Sequence, residues 1–141
     1  MKVALGLGCD RGTPAQTLEH AVGEALARAG AQLGDVAAAA SINLKADEPG
    51  LLALAARHGW LLRFYAPEQL AAVAVPNPSE TVRRHTGTPS VSEAAALLAA
   101  GAADTSALLV EKHKLRGGDG RHATVSVARC AAPTFPVLIN P

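Results

Sequence analysis

Val3, Leu5 and Leu7 form a short apolar run that ends among glycines, and helical spacing begins soon after, so a buried first strand feeding a turn is expected. Thr13-Pro14-Ala15-Gln16 has the form of a capping box: a threonine N-cap, a proline where its missing N–H is harmless, and a glutamine three residues on. Leu18, Ala21, Val22, Ala25, Leu26 and Ala29 then recur on one helical face until Gly30 supplies the stop. Residues 36–44 are apolar and finish with Ile42 and Leu44, which predicts a second strand, followed by a helix from about Glu48 to His58 closed by Gly59. Leu61 to Tyr65 reads as a third strand and Pro67 to Leu70 as a helical turn. In the rigid stretch Pro76-Asn77-Pro78-Ser79-Glu80, Asn77 can cap a short helix ending near Gly87. A second capping box, Ser90-Val91-Ser92-Glu93, opens an alanine-rich helix with Val91, Ala94, Ala95 and Leu98 on its apolar face and Gly101 at its end. Ala107 to Lys114 and His122 to Arg129 are the last strands, joined as a hairpin by Arg116-Gly117-Gly118-Asp119-Gly120.

Strands that alternate with helices and then close on a hairpin imply an α/β fold: a three-layer α/β/α sandwich on a mixed sheet of about five strands. One domain over residues 1–130 is expected, with residues 131–141 as a C-terminal tail. The pattern shows neither internal repeat nor linker. A chain of 141 residues buries about 70% of its unfolded surface, enough for a core. Alanine dominates the 49% of apolar residues and aromatics are only 3%, so that core must be built by close approach of small side chains.

Charge narrows the function. Thirteen basic and twelve acidic residues leave +1 and no basic block, so no electrostatic footprint for nucleic acid is present. The short apolar start resembles a secretion signal or lipoprotein box but fails on length, and Gly6 stands where a lipobox has an aliphatic residue. No run reaches the roughly 18 apolar residues of a membrane span. Cys9 and Cys130 lack CxxC spacing, and the five histidines are scattered, so neither a zinc site, a cofactor nor a disulfide framework is expected, and a cytoplasmic location is the default.

The loop Gly6-Leu7-Gly8-Cys9-Asp10-Arg11-Gly12-Thr13 joins a strand to a capped helix, and its N–H groups with the helix terminus form a potential anion cradle to which Arg11 adds charge. Glycines that merely permit a tight turn explain the same residues. Cys9, beside Arg11 near a helix start, is read either as a thiol of lowered pKa or as a buried structural cysteine. At the next strand-to-helix junction Lys45 can meet a carboxylate or phosphate, and Glu48 is a candidate acid or base, although a carboxylate in a first helical turn already has a structural role. The capping box gives Glu93 such a role as well. Alternation puts Val110, Lys112 and Lys114 on one strand face and Glu111 and His113 on the other; two lysines on one face suit either an anion or an exposed edge.

Six blocks in order carry a resemblance: Gly6 through Thr13; Ser41 through Leu51 with Lys45 and Glu48; Pro76-Asn77-Pro78-Ser79; Gly87 through Ala95; Lys112 to Lys114; and Ala123 through Ala128. Together they resemble the CobE and CbiG C-terminal domain family of cobalamin biosynthesis, its stand-alone members most. The first loop departs from that family's pattern, which more often has a basic residue where Asp10 stands. The resemblance implies a corrin intermediate as ligand, a broad apolar ring with many carboxylate arms. Gly8, Cys9, Arg11, Gly12, Thr13, Lys45, Ser90, Lys112 and Lys114 are the expected binding residues, because charge-assisted bonds to carboxylates are the stronger kind. Three roles follow as expectations: a binding or carrier protein, a corrin hydrolase or lyase using Glu48 or Glu93, and an assembly partner of another enzyme of the pathway.

Overall fold

Val3, Ala4, Leu5 and Leu7 are inaccessible to solvent, as a strand covered on both faces requires, and they lie in β1 (Val3–Cys9). The computed structural model describes residues 1–73, 75, 91–102 and 104–131. From β1 the chain passes through α1 (Ala15–Ala29) to β2 (Val36–Ile42) and through α2 (Pro49–His58) to β3 (Leu62–Tyr65). After α3 (Pro67–Ala71) and α4 (Val91–Ala100), β4 (Leu108–Arg116) and β5 (His122–Arg129) form a hairpin. The helix expected from Asn77 to Gly87, the cap residue Ser90, and residues 132–141 of the expected tail lie outside the described residues.

The five strands run in the order β3-β2-β1-β5-β4. β1, β2 and β3 are parallel, and β5 is antiparallel to both its neighbours. Successive right-handed crossovers in one direction along the sheet account for α1 and α2 sharing a face. Leu18, Ala21, Val22, Ala25 and Leu26 of α1 bury there with Leu51 and Leu54 of α2 against Val3, Leu5, Leu7, Val125 and Val127. On the other face Ala94, Ala95, Ala96, Leu97 and Ala100 of α4 meet Ala4, Ala40, Ile42 and Ala128, with Leu70 of α3 beside them. The expected three-layer sandwich on a mixed five-stranded sheet is therefore the fold.

Alanine lets α4 lie very close to the sheet, and Gly6 makes the approach possible. A Cβ at Gly6 would stand 1.8 Å from Ser92 O and 2.7 Å from Ala96 N. Gly6, Gly8 and Cys9 thus belong to a strand, not to the first loop, which is confined to residues 10–14.

Three local expectations need correction. Pro14, not Thr13, is the N-cap of α1, and no side chain caps that helix. The Thr13 hydroxyl shares its proton between Asp10 O (2.8 Å) and His122 O (3.2 Å), tying the loop to the hairpin instead. β2 stops at Ile42, because Asn43–Lys45 turns as a 3-10 segment. Register shifts between Leu108 and Val110 and between Val110 and His113 break the alternation in β4. Val110 consequently packs on the α1 side, while Lys112 reaches Glu93 on α4.

Candidate functional site at the strand ends

The parallel strands β1 and β2 end side by side, and their loops meet the tip of the β4–β5 hairpin. This is the edge at which open α/β sheets gather ligands. At Gly12, φ is +80°, a backbone conformation that favours glycine. Its N–H donates to Glu48 Oε2 at 3.0 Å. Arg11 donates to Glu48 Oε1 at 3.2 Å, to Asp47 Oδ1 at 2.8 Å and to Leu44 O at 2.6 Å. Glu48 is only 1% exposed, and both of its oxygens are engaged. The first loop does bind an anion, and that anion is the chain's own Glu48. Its carboxylate binds the loop, although the residue is also the N-cap of α2.

Hairpin residues complete the clasp. Arg121 Nε donates to Arg11 O at 2.9 Å and its guanidinium meets Asp119 Oδ2 at 3.0 Å. The His122 N–H donates to Asp10 Oδ2 at 2.8 Å, and that backbone bond holds the Asp10 carboxyl below the usual range, with help from the His122 ring. Asp10, where the family pattern favours a basic residue, is thus matched by the hairpin. Hydrogen bonds from Arg11 similarly hold Asp47 low.

Lys45 stands among these groups, half-buried, without a hydrogen bond or ion pair among the described residues. Its charge bears on Cys9, Asp10 and Asp47. Burial pushes the Cys9 thiol up to about 11 against the pull of Lys45, so of the two readings of Cys9 the activated thiol is overturned: little thiolate exists at neutral pH. Lys114 is exposed and likewise has no hydrogen bond or ion pair among the described residues. Lys112 differs, because its ammonium lies 3.4 Å from the fully buried carboxylate of Glu93.

The expected residues therefore fall into two groups. Arg11, Gly12, Thr13, Lys45 and Glu48 come together at the strand ends, with Cys9 at their base. Gly8, Lys112 and Lys114 stand on the α4 face of the sheet, where Lys112 meets Glu93 of α4, and Ser90 is outside the described residues. Sequence reasoning gave no binding role to Asp10, Arg121 or His122; Arg121 and His122 were marked only by polarity beside the hairpin turn, and Asp10 only by its place in the first loop. Among the described residues no group of three or more His, Cys, Asp or Glu side chains is placed to hold a metal ion, and no helix is long and apolar enough to cross a membrane.

Comparison with known proteins gives these surfaces a context. The family model described as cobalamin synthesis G C-terminus matches residues 3–128. A protein named cobalt-precorrin-5A hydrolase from Priestia megaterium is 39% identical over 126 residues, 89% of this chain but 32% of that protein's length. Protein CobE from Sinorhizobium sp. is 39% identical over 128 residues, 89% of this chain and 79% of its own. The crystal structure of CobE, described as a protein of the cobalamin (vitamin B12) biosynthetic pathway, superposes with a TM-score of 0.74 at 35% identity. That match covers 94% of this chain and 92% of that one.

Proposed function

Since the chain belongs to the CbiG C-terminal family of cobalamin-synthesis proteins, we propose that it binds a polycarboxylate corrin intermediate at the C-terminal ends of β1 and β2 and acts as a carrier. The observation that supports this reading is Lys45: an ammonium at the ligand edge of the sheet whose neighbours Asp10, Asp47 and Glu48 already have other partners. Arg11 is committed to Asp47, Glu48 and Leu44 O, so its part is to hold the loop, while Lys45 takes a carboxylate arm. A carrier needs cationic contacts and a rigid mouth, and the clasp around Glu48 supplies the rigidity. The hydrolase name belongs to a protein of which this chain spans 32%.

Titration of the purified protein with hydrogenobyrinic acid, followed by the visible absorbance of the corrin, tests the reading. Saturable binding near micromolar concentration is expected. Lys45→Ala should weaken it about tenfold, the scale of one charge-assisted bond, with added salt weakening the wild type further. No spectral change up to roughly a hundred times that concentration would contradict the proposal. Absorbance is the better probe, because Trp60 follows the C-terminus of α2, away from the strand ends, stacked on His58 at 4.5 Å.

A further inference from the structure

Gly6 and Gly8 lie two residues apart on the same face of β1, yet their surroundings differ. The backbone of α4 fills the space over Gly6. A Cβ at Gly8 would meet, among the described residues, only Thr124 Cβ at 3.9 Å. Glycine inside a strand weakens it, and often marks the close approach of another backbone or of a ligand. Gly6 is explained by a backbone; Gly8 has no such neighbour among the described residues.

The sheet register sets two polar groups beside that space. Thr124 is directly opposite Gly8, and Lys114 directly opposite Thr124, so β1, β5 and β4 present the three residues in one row on the α4 face. Gly8 and Thr124 are half-buried and Lys114 is exposed. Two strand spacings amount to roughly 10 Å, which a lysine side chain leaning across its neighbour can largely span. Neither the Thr124 hydroxyl nor the Lys114 ammonium has a partner among the described residues. One row down, the equivalent groups are used: Ser126 bonds Glu111 O at 2.6 Å and Ser92 Oγ at 2.9 Å, and Lys112 meets Glu93. Among the described residues, the change from a saturated row to an open one falls where α4 begins.

We propose that Lys114 and Thr124 form a carboxylate subsite and that the bare backbone of Gly8 admits the edge of a flat, polycarboxylate ring against the sheet. The ammonium and the hydroxyl hold one carboxylate arm while Lys45 holds another. This inference rests on the corrin-binding reading and specifies the face of the sheet on which the ligand lies.

The test uses the full chain and hydrogenobyrinic acid, with Gly8→Val, Lys114→Met and the wild type measured in parallel for affinity and thermal unfolding. Valine suits a strand, so Gly8→Val is expected to melt no lower than the wild type while binding at least ~30-fold more weakly, as a side chain occupies the ligand's place. Lys114→Met, at an exposed position that folding does not depend on, should bind about tenfold more weakly. If the wild type binds and both variants bind equally well, the subsite is wrong and the corrin-binding reading stands. A Gly8→Val protein that melts several degrees lower would show that protein fills the space, and would overturn the subsite. A wild type that does not bind overturns both.

Discussion

Replacing Gly6 with alanine is expected to lower the unfolding free energy by about 3 kcal/mol, the upper end of ordinary overpacking. The added Cβ would sit 1.8 Å from Ser92 O and 2.8 Å from the carbonyl carbon behind it, atoms of helix backbone that no side-chain rotation can move. α4 must lift, and eight of its ten residues are buried, so the movement opens the whole second core. Urea or thermal unfolding reads the effect directly, and for a chain of this size the midpoint should fall by roughly 10 °C. Gly8→Ala is the natural companion, because a Cβ there meets only Thr124 at 3.9 Å among the described residues. If the two alanine variants are equally stable, the close approach of α4 to β1 is not what holds that layer.

Glu48→Ala is expected to cost about 2 kcal/mol of stability, because it removes a buried carboxylate that accepts from both the Gly12 N–H and Arg11. The same change frees Arg11 from its buried partner and leaves the loop after β1 tied to the turn after β2 only through Asp47 and Leu44 O. Corrin affinity should fall with it, since Lys45 sits on that turn. Glu48→Gln retains an acceptor for Gly12 but loses the charge facing Arg11, so it should recover about half of the stability. Chemical denaturation and the absorbance titration give the two readouts. A Glu48→Ala protein as stable as the wild type and binding as tightly would show that the carboxylate does not organise the site.

Much of the architecture was legible because local signals agreed with tertiary demands. The stripe from Leu18 to Leu26 is the buried face of α1, Gly30 and Gly59 close their helices, and the glycine-rich turn makes the expected hairpin. The misreadings share one cause: a distant partner decides. Thr13 looks like an N-cap until His122, 109 residues away, offers a carbonyl to its hydroxyl. Gly6 looks like a turn glycine until α4 is laid across it. The lysines of β4 alternate with Val110 on paper, but register shifts, which leave no mark in composition or spacing, move Val110 to the opposite face. Of the candidate site, Arg11, Gly12, Lys45 and Glu48 were identifiable from their place at strand-to-helix junctions. That Glu48 and Arg11, 37 residues apart, partner each other was not.

The proposed site holds a polycarboxylate ring where β1 and β2 end, by groups that have no hydrogen-bond or ion-pair partner among the described residues. Backbone amide chemical-shift mapping during titration with hydrogenobyrinic acid tests it most directly. The largest shifts are expected on Gly8, Gly12, Lys45, Lys114 and Thr124. Shifts concentrated at the opposite end of the sheet, in the cleft lined by Ala102, Asp104, Arg129 and Cys130, would contradict it.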